Sequence, residues 1–512
     1  MSVPISRRGF LAAAAASGGA IAVAGCAATN GNSSASGATP SGSARPAPPP
    51  AKPTKAWFIR SGERAPAGLI EAYAGQSSVS QGDELTLHVS TSAQKWSVEV
   101  FRIGDYDGQG GTKVVSLGPF RGNGEHGVTT DKATRATSAN WPISTRIDTT
   151  DWGPGFYLIH VIASGKRTEV PLTVRSPNAH DAVAVIGSAT TWQAYNLWGG
   201  RSLYRSANGS FADRSYAVSF DRPFDKTGRT LLYAFEIPIM RVAEESGVRL
   251  AWATNVDIAD NPAFLTGATG AVSTGHDEYW PIPYRNALAK LRDSGGNLAF
   301  LGANSGYWRV RLDDSPTGAN RVVTCYKSAE LDPVKNSPRT TVRWRDKPDP
   351  VPENTVIGQL YDAFPANGPM HIDDPGFFLF KGTGVREGSR LTGLIGPETD
   401  RYYLDRTAPK DIQLPAISPV TCRGKQTWST MSYYGAPSGA GVVAMGTMSW
   451  SRSLPRPKKI AGIPQSTTAF SHQVTLNTFA ELAAGPMARA NPVKPDLAVA
   501  RKLPRTNTSG AA

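Results

Sequence analysis

Three stretches of this sequence concentrate the residue types that hold metal ions and move protons: Thr190-Thr191-Trp192-Gln193-Ala194-Tyr195-Asn196, Gly275-His276-Asp277-Glu278-Tyr279-Trp280, and Gly302-Ala303-Asn304-Ser305-Gly306-Tyr307-Trp308. Each follows a short apolar run, Ala182 to Ile186, Ala271 to Ser273 and Asn297 to Leu301 respectively, of the kind that forms a strand buried on both faces. In an open parallel sheet the loops at the carboxyl ends of the strands meet along one rim and carry the ligands. The pattern therefore predicts that a histidine, carboxylates, an amide and phenols from distant parts of the chain converge. Such a set can ligate a cation or act as general acid and base.

Each candidate also has a structural role open to it. Asp277 is a good N-cap and Glu278 a favourable first-turn acid, so His276 to Trp280 could begin a helix. Tyr195 and Tyr204 could be rim aromatics that bury a ring and hydrogen-bond a hydroxyl, and Asn304 could cap a helix. Trp192, Trp198, Trp280 and Trp308 could line a groove for a glycan or other ligand, which would make the chain a cell-surface binding module without catalysis. A glycosidase built on Glu278 would need a second carboxyl roughly 5 to 10 Å away. Nucleophilic machinery is missing: Gly-x-Ser-x-Gly, a phosphate loop and His-Glu-x-x-His do not occur. None of the seven histidines pairs at zinc-ligand spacing.

The elements that must position these loops follow from periodicity. Val248 to Ala253 is another buried-strand run. Leu232, Phe235, Ile239 and Val242 share a helix face stopped by Gly247, with Pro238 predicting a kink or the helix's true start. Tyr284, Leu288 and Leu291 share another, stopped by Gly295-Gly296. Alternating strands and helices predict a parallel sheet with helices on both faces, an α/β domain over residues 177–486. Beyond Tyr307, proline and glycine predict long loops and added strands, with Val442 to Met445 and a helix from Leu476 to Ala484 returning to the sheet. Upstream the period is two: Leu85, Leu87 and Val89, then Trp96, Val98 and Val100, then Val170, Leu172 and Val174. Short strands between turn signals predict an Ig-like β-sandwich over residues 55–176.

Composition sets the outer bounds. The chain has 512 residues with 52 Gly and 39 Pro, which favours strands and loops over coiled coils or helical repeats. The net charge of +13 sits largely at the ends: residues 1–54 hold four basic residues and no acid, and residues 486–512 five against Asp496. Binding to nucleic acid needs basic residues gathered on one surface, so no nucleic-acid partner is expected. Ser6-Arg7-Arg8-Gly9-Phe10-Leu11 and the alanine-rich stretch up to Val23-Ala24-Gly25-Cys26 have the form of an export signal over residues 1–26. It resembles a twin-arginine signal ending in a lipobox, with Cys26 as the lipidated residue and the only membrane attachment. Residues 27–54 predict a disordered Pro/Ser/Ala linker, and 487–512 a disordered basic tail. The protein is thus expected outside the cytoplasm, at the cell surface. The two remaining cysteines, Cys325 and Cys422, could form one bridge or stay free.

The three loops, together with Gly199-Gly200-Arg201-Ser202-Leu203-Tyr204, resemble the C-terminal domain of the large (beta) subunit of N,N-dimethylformamidase over roughly residues 180–485. That resemblance implies a domain like class I glutamine amidotransferases, flavodoxin-like in its sheet, without their cysteine. It implies a mononuclear iron, Fe(III), held by two tyrosines and one glutamate, matching Tyr195, Tyr204 and Glu278. It places His276, Asn304 and, by a weaker match in Gly396-Pro397-Glu398-Thr399-Asp400, Glu398 beside the metal as catalytic groups, with Tyr216 as the rival for the second tyrosine. Two phenolates and a carboxylate form a hard anionic set suited to such a cation, which would act as Lewis acid and activate water. The activity implied is hydrolysis of a carbon-nitrogen bond in a small amide-like substrate. Formamidases of this type are cytoplasmic and work with a small subunit, whereas this chain has an export signal and its own sandwich domain.

Overall fold

The computed structural model describes residues 52–456, 460–501 and 503. The predicted export signal, Cys26 and the linker up to residue 51 lie outside them. The chain is mixed α/β, 34% strand and 21% helical, so the surplus of glycine and proline goes with strands, as the composition predicts.

Residues 70–175 form two main sheets and a short two-stranded one, Thr129–Thr130 with Thr137–Ser138. One main sheet has three strands in the order Ile70–Ala74, Glu84–Thr91, Thr145–Asp148. The other has five, in the order Ser78–Ser80, Lys166–Arg175, Gly155–Ala163, Lys95–Ile103, Gly111–Arg121. The nine residues whose alternation predicted these strands all lie in one hydrophobic core. Their outward neighbours face water or the rest of the chain, as the two-residue period of a strand requires.

The second half is built on a seven-stranded sheet. Its strands are β1 (Val183–Gly187), β2 (Leu250–Thr254), β3 (Gly270–Ser273), β4 (Asn297–Phe300), β5 (Ile412–Cys422), β6 (Lys425–Gly435) and β7 (Gly441–Ala444). The order is β2-β1-β3-β4-β7-β6-β5. The first five run parallel, and β6 and β5 complete the sheet as an antiparallel pair. The parallel strands match the apolar runs to within a few residues. Both halves of the chain belong to one compact unit. Arg102, from the five-stranded sheet, pairs with Glu244 at 2.7 Å.

The helices include α1 (Ala189–Tyr195), α2 (Ile237–Glu245), α3 (Asn255–Asp260), α4 (Ile282–Asp293), α5 (Ser449–Ser453) and α6 (Gln465–Ala483). Pro238 lies in the first turn of α2, and a π-helical segment, Leu232–Glu236, absorbs the break that proline imposes. The helix expected from Leu476 begins at Gln465 instead. Its early buried face includes Thr467, Ser471 and Thr475, residues that carry no apolar signal. The expected basic tail differs in its described part. Met487 is buried, its N–H donates to Asn297 Oδ1 at 2.8 Å, and the Asp496 N–H donates to Ile412 O at 2.8 Å. No helix among the described residues is long and apolar enough to cross a membrane.

Cys325 and Cys422 are free and buried. They lie against different backbone carbonyls, Arg309 O at 3.8 Å and Phe364 O at 3.3 Å.

Candidate active site

The rim formed by the ends of β1, β3 and β4 brings the three loops together. Two glycines permit the approach: a Cβ on Gly302 would lie 1.7 Å from Gly275 O, and one on Gly275 would lie 2.3 Å from Phe235 O. Gly275 also has φ near +49°, a conformation that disfavours side chains. The start of α1 then clamps the central loop. Thr191 Oγ1 accepts the Glu278 N–H at 3.0 Å, and Thr190 Oγ1 donates to Tyr279 O at 2.7 Å. From the other side the N–H groups of Tyr307 and Trp308 donate to Glu278 O at 3.0 and 2.9 Å.

This frame makes Glu278 the centre of a buried oxygen cluster. Tyr195, the last residue of α1, donates its hydroxyl to Glu278 Oε2 at 2.7 Å. Tyr204 donates to Glu278 Oε1 in a very short hydrogen bond, and the two phenol rings lie 4.7 Å apart. His276 Nε2 is 3.2 Å from Glu278 Oε2 and 3.1 Å from the Tyr195 hydroxyl, while its Nδ1 faces Ala303 O at 3.3 Å. Asn304 Nδ2 donates to Glu398 Oε2 at 2.7 Å, and the Asn304 N–H to Asp400 Oδ1 at 2.7 Å. Asn304 Oδ1 is buried without a partner among the described residues, and the residue has φ near +57°. All six candidates, Tyr195, Tyr204, His276, Glu278, Asn304 and Glu398, therefore belong to one cluster. The rival Tyr216 stacks on Tyr326 at 4.9 Å instead.

The structural alternatives fare differently. Helix α4 starts at Ile282 behind Pro281, so Asp277 is no cap. It accepts hydrogen bonds from Ser273 Oγ, Tyr284 Oη and Asn255 Nδ2 at 2.9, 2.8 and 3.1 Å. Asn304 precedes a strand, Trp308–Ser315, and caps nothing. The four-tryptophan groove does not form, because Trp192 and Trp280 are core residues of two different hydrophobic clusters.

Electrostatics divides the cluster. Burial acts against an ionised Glu278, but the hydrogen bond and charge of His276 outweigh it and hold the carboxyl below its usual range. Burial likewise opposes a charged His276, yet its hydrogen bond to Glu278 and the nearby Glu398 lift the imidazole to about 9. Glu398 is pushed up to about 7, by burial first and then by repulsion from Glu278. Both phenols are raised well above their ordinary value, by burial and then by the Glu278 charge. Without a cation they stay protonated and give their hydrogens to the carboxylate. Replacing those hydrogens with one hard cation would leave three anionic oxygens already gathered around it, so the donor set fits such an ion. Among the described residues no group of three or more His, Cys, Asp and Glu side chains is arranged to hold a metal; this set depends on its two phenols.

One site residue escaped the sequence. Lys327 Nζ donates to the Tyr279 hydroxyl at 2.6 Å, and it lies 3.2 Å from the centre of the Tyr204 ring and 4.6 Å from that of Trp308. Burial pulls its ammonium down to about 7. It follows the strand Gly318–Thr324 in the stretch where periodicity is weakest, and no motif marks it.

The family model for the N,N-dimethylformamidase beta subunit-like C-terminal region matches residues 97–463, more than half of the chain. The chain belongs to this family. The match begins inside the five-stranded sheet, well before the residue 180 at which the loops alone suggested it, so the dimethylformamidase-like region takes in part of the upstream sheets. Among curated proteins none matches the chain. Membership supports a hydrolase acting on amide bonds.

Behind this dimethylformamidase-like site, Glu236 closes the π-helical segment. Its carboxyl accepts a short hydrogen bond from Thr274 Oγ1, and Oε1 is buried without a partner among the described residues. Burial pushes its pKa from 4.5 to about 8. The folded protein thus holds this proton more tightly than the unfolded chain, so stability falls as pH rises from about 4.5 to about 8. Glu236→Gln should remove that loss. The variant should match wild type near pH 4.5 and exceed it above pH 8 by up to about 5 kcal/mol, because each tenfold difference in proton affinity between the folded and unfolded chain is worth roughly 1.4 kcal/mol. Melting temperatures measured across this range check it, and parallel wild-type and variant curves would refute it.

Proposed function

We propose that this protein is an exported, iron-dependent hydrolase of a carbon-nitrogen bond in a small amide or formamide-like substrate. The observation that supports it most is the capture of both Glu278 oxygens by the phenols of Tyr195 and Tyr204 in a buried site. Tyr195, Tyr204 and Glu278 would hold the cation, which when bound supplies Lewis acidity toward a carbonyl oxygen and toward water. The remaining groups move protons. Glu398, near 7 and steadied by Asn304 Nδ2, takes a proton from the attacking water and returns it to the nitrogen as the carbon-nitrogen bond breaks. His276, whose imidazole the neighbouring Glu278 and Glu398 carboxyls raise above its ordinary value, donates a hydrogen bond to the oxygen that gains charge. Lys327 adds a positive charge against the Tyr204 ring, and Asn304 Oδ1 is free to accept an amide N–H.

The same proposal carries an Ig-like sandwich ahead of a class I glutamine amidotransferase-like domain, twin-arginine export with the fold already formed, and lipid attachment at Cys26. Elemental analysis of protein expressed with ample iron tests its core. About one iron per chain is expected, with a visible phenolate-to-iron charge-transfer band. Colourless, metal-free protein would overturn the catalytic reading.

A further inference from the structure

A second cavity, of about 400 Å3, lies apart from the candidate site, between the hairpin of Gly368–His371 and Arg390–Ile395, helix α5 and residues 460–463. Its lining includes Asn367, Thr392, Ser449 and Arg452 and contains no acid. Ser449 is buried and Arg452 half-buried, while Asn367 and Thr392 are exposed on the rim. Among the described residues none of these four side chains has a hydrogen-bond or ion-pair partner, and burial pulls the Arg452 guanidinium down with no acid to offset it.

The surrounding charge has one sign. Burial, and then repulsion from the nearby Arg452 and Arg241, pulls Arg456 down to about 10. Among the described residues its guanidinium reaches only carbonyl oxygens, Ala234 O at 2.9 Å and Ser451 O at 3.1 Å. Arg241 reaches Pro455 O at 3.2 Å and Gly108 O at 3.4 Å, with Asp105 and Glu245 as more distant attractions. The Nε atoms of Arg241 and Arg456 are buried without partners among the described residues. Like charges this close are unfavourable unless a counter-charge joins them, and guanidinium groups suit oxyanions.

We infer that this cavity is a binding site for a phosphoryl or sulfo dianion, seated on Arg452 with Ser449, Thr392 and Asn367 as neutral donors. A dianion offsets the crowded guanidinium charge better than a carboxylate does. The site stands independently of the metal and amide proposals, although its wall strand, Arg390–Ile395, leads within three residues to Glu398.

Isothermal titration of the full chain with inorganic phosphate, at constant ionic strength, tests it. One saturable site is expected, with sulfate competing and acetate binding far more weakly. Arg452→Gln should weaken phosphate about ten- to a hundredfold, the effect of losing one charge-assisted contact, without lowering the melting temperature, since it removes an unpaired charge. Ser449→Ala, a smaller change, should weaken it less and covers the case in which the arginine variant fails to fold. Binding should persist in Glu278→Gln, which separates this cavity from the candidate metal site. Absence of saturable phosphate binding, binding unchanged in both cavity variants, loss of binding in Glu278→Gln, or acetate binding as tightly as phosphate would each overturn the inference.

Discussion

Glu278→Gln is expected to strip most of the iron from the protein and abolish its charge-transfer colour while leaving it folded. The amide is nearly isosteric with the carboxylate. Its oxygen still accepts one phenolic hydrogen bond, and its backbone remains held by Thr191 Oγ1, Tyr307 N and Trp308 N. What disappears is one of three anionic donors, and the charge that lifts His276. Outer-sphere partners of metal ligands are typically worth 10- to 100-fold in affinity, so losing a direct anionic ligand should exceed that range. Iron content by elemental analysis, the visible spectrum and the melting temperature of metal-free protein read the outcome together. Wild-type iron and colour in the variant would remove Glu278 from the ligand set, and a collapse in melting temperature would show that its role is structural.

The site was legible where it lies on the regular part of the fold. Strands β1, β3 and β4 announced themselves as apolar runs bounded by turn residues, and the rule for open parallel sheets then brought Tyr195, His276, Glu278 and Asn304 to one rim. Tyr204 and Glu398 came through family resemblance alone, because they sit on irregular loops whose course no periodicity fixes. Lys327 was missed for the same reason: its position depends on three aromatic partners, Tyr204, Tyr279 and Trp308, that are remote from it or unmarked in sequence. The tryptophans misled in the opposite sense. Trp192 and Trp280 sit in loops rich in polar residues, yet each turns its ring into the core, and composition does not say which way a side chain on a loop points. Helix α6 lost its first half to buried serine and threonine: Thr475 satisfies its hydroxyl on Ser471 O at 2.7 Å and Thr467 on Thr392 O at 3.0 Å, which leaves Phe470 and Val474 to carry the apolar signal there.

His276→Ala is expected to keep the iron and the colour and to lose turnover, by roughly 100-fold or more, the effect of losing one hydrogen-bond donor to the oxygen that gains charge. The imidazole touches Glu278 and Tyr195 from outside the three oxygens, so its removal leaves the donor set whole. A pH profile with a dialkylformamide substrate separates catalysis from packing. If Glu398 must be ionised and His276 protonated, the wild-type rate should rise as Glu398 ionises and fall as His276 loses its proton, with the bound cation moving both limbs below the values of about 7 and about 9 that the metal-free site sets. The falling limb belongs to the imidazolium, whose proton is lost as pH increases, so His276→Ala should lack that limb and keep the rising one. His276→Gln, which preserves a hydrogen-bond donor without the titration, should recover part of the rate and also lack the falling limb. A variant that loses its iron along with its activity would instead make His276 part of what holds the metal, and an unchanged falling limb would assign that proton to another group.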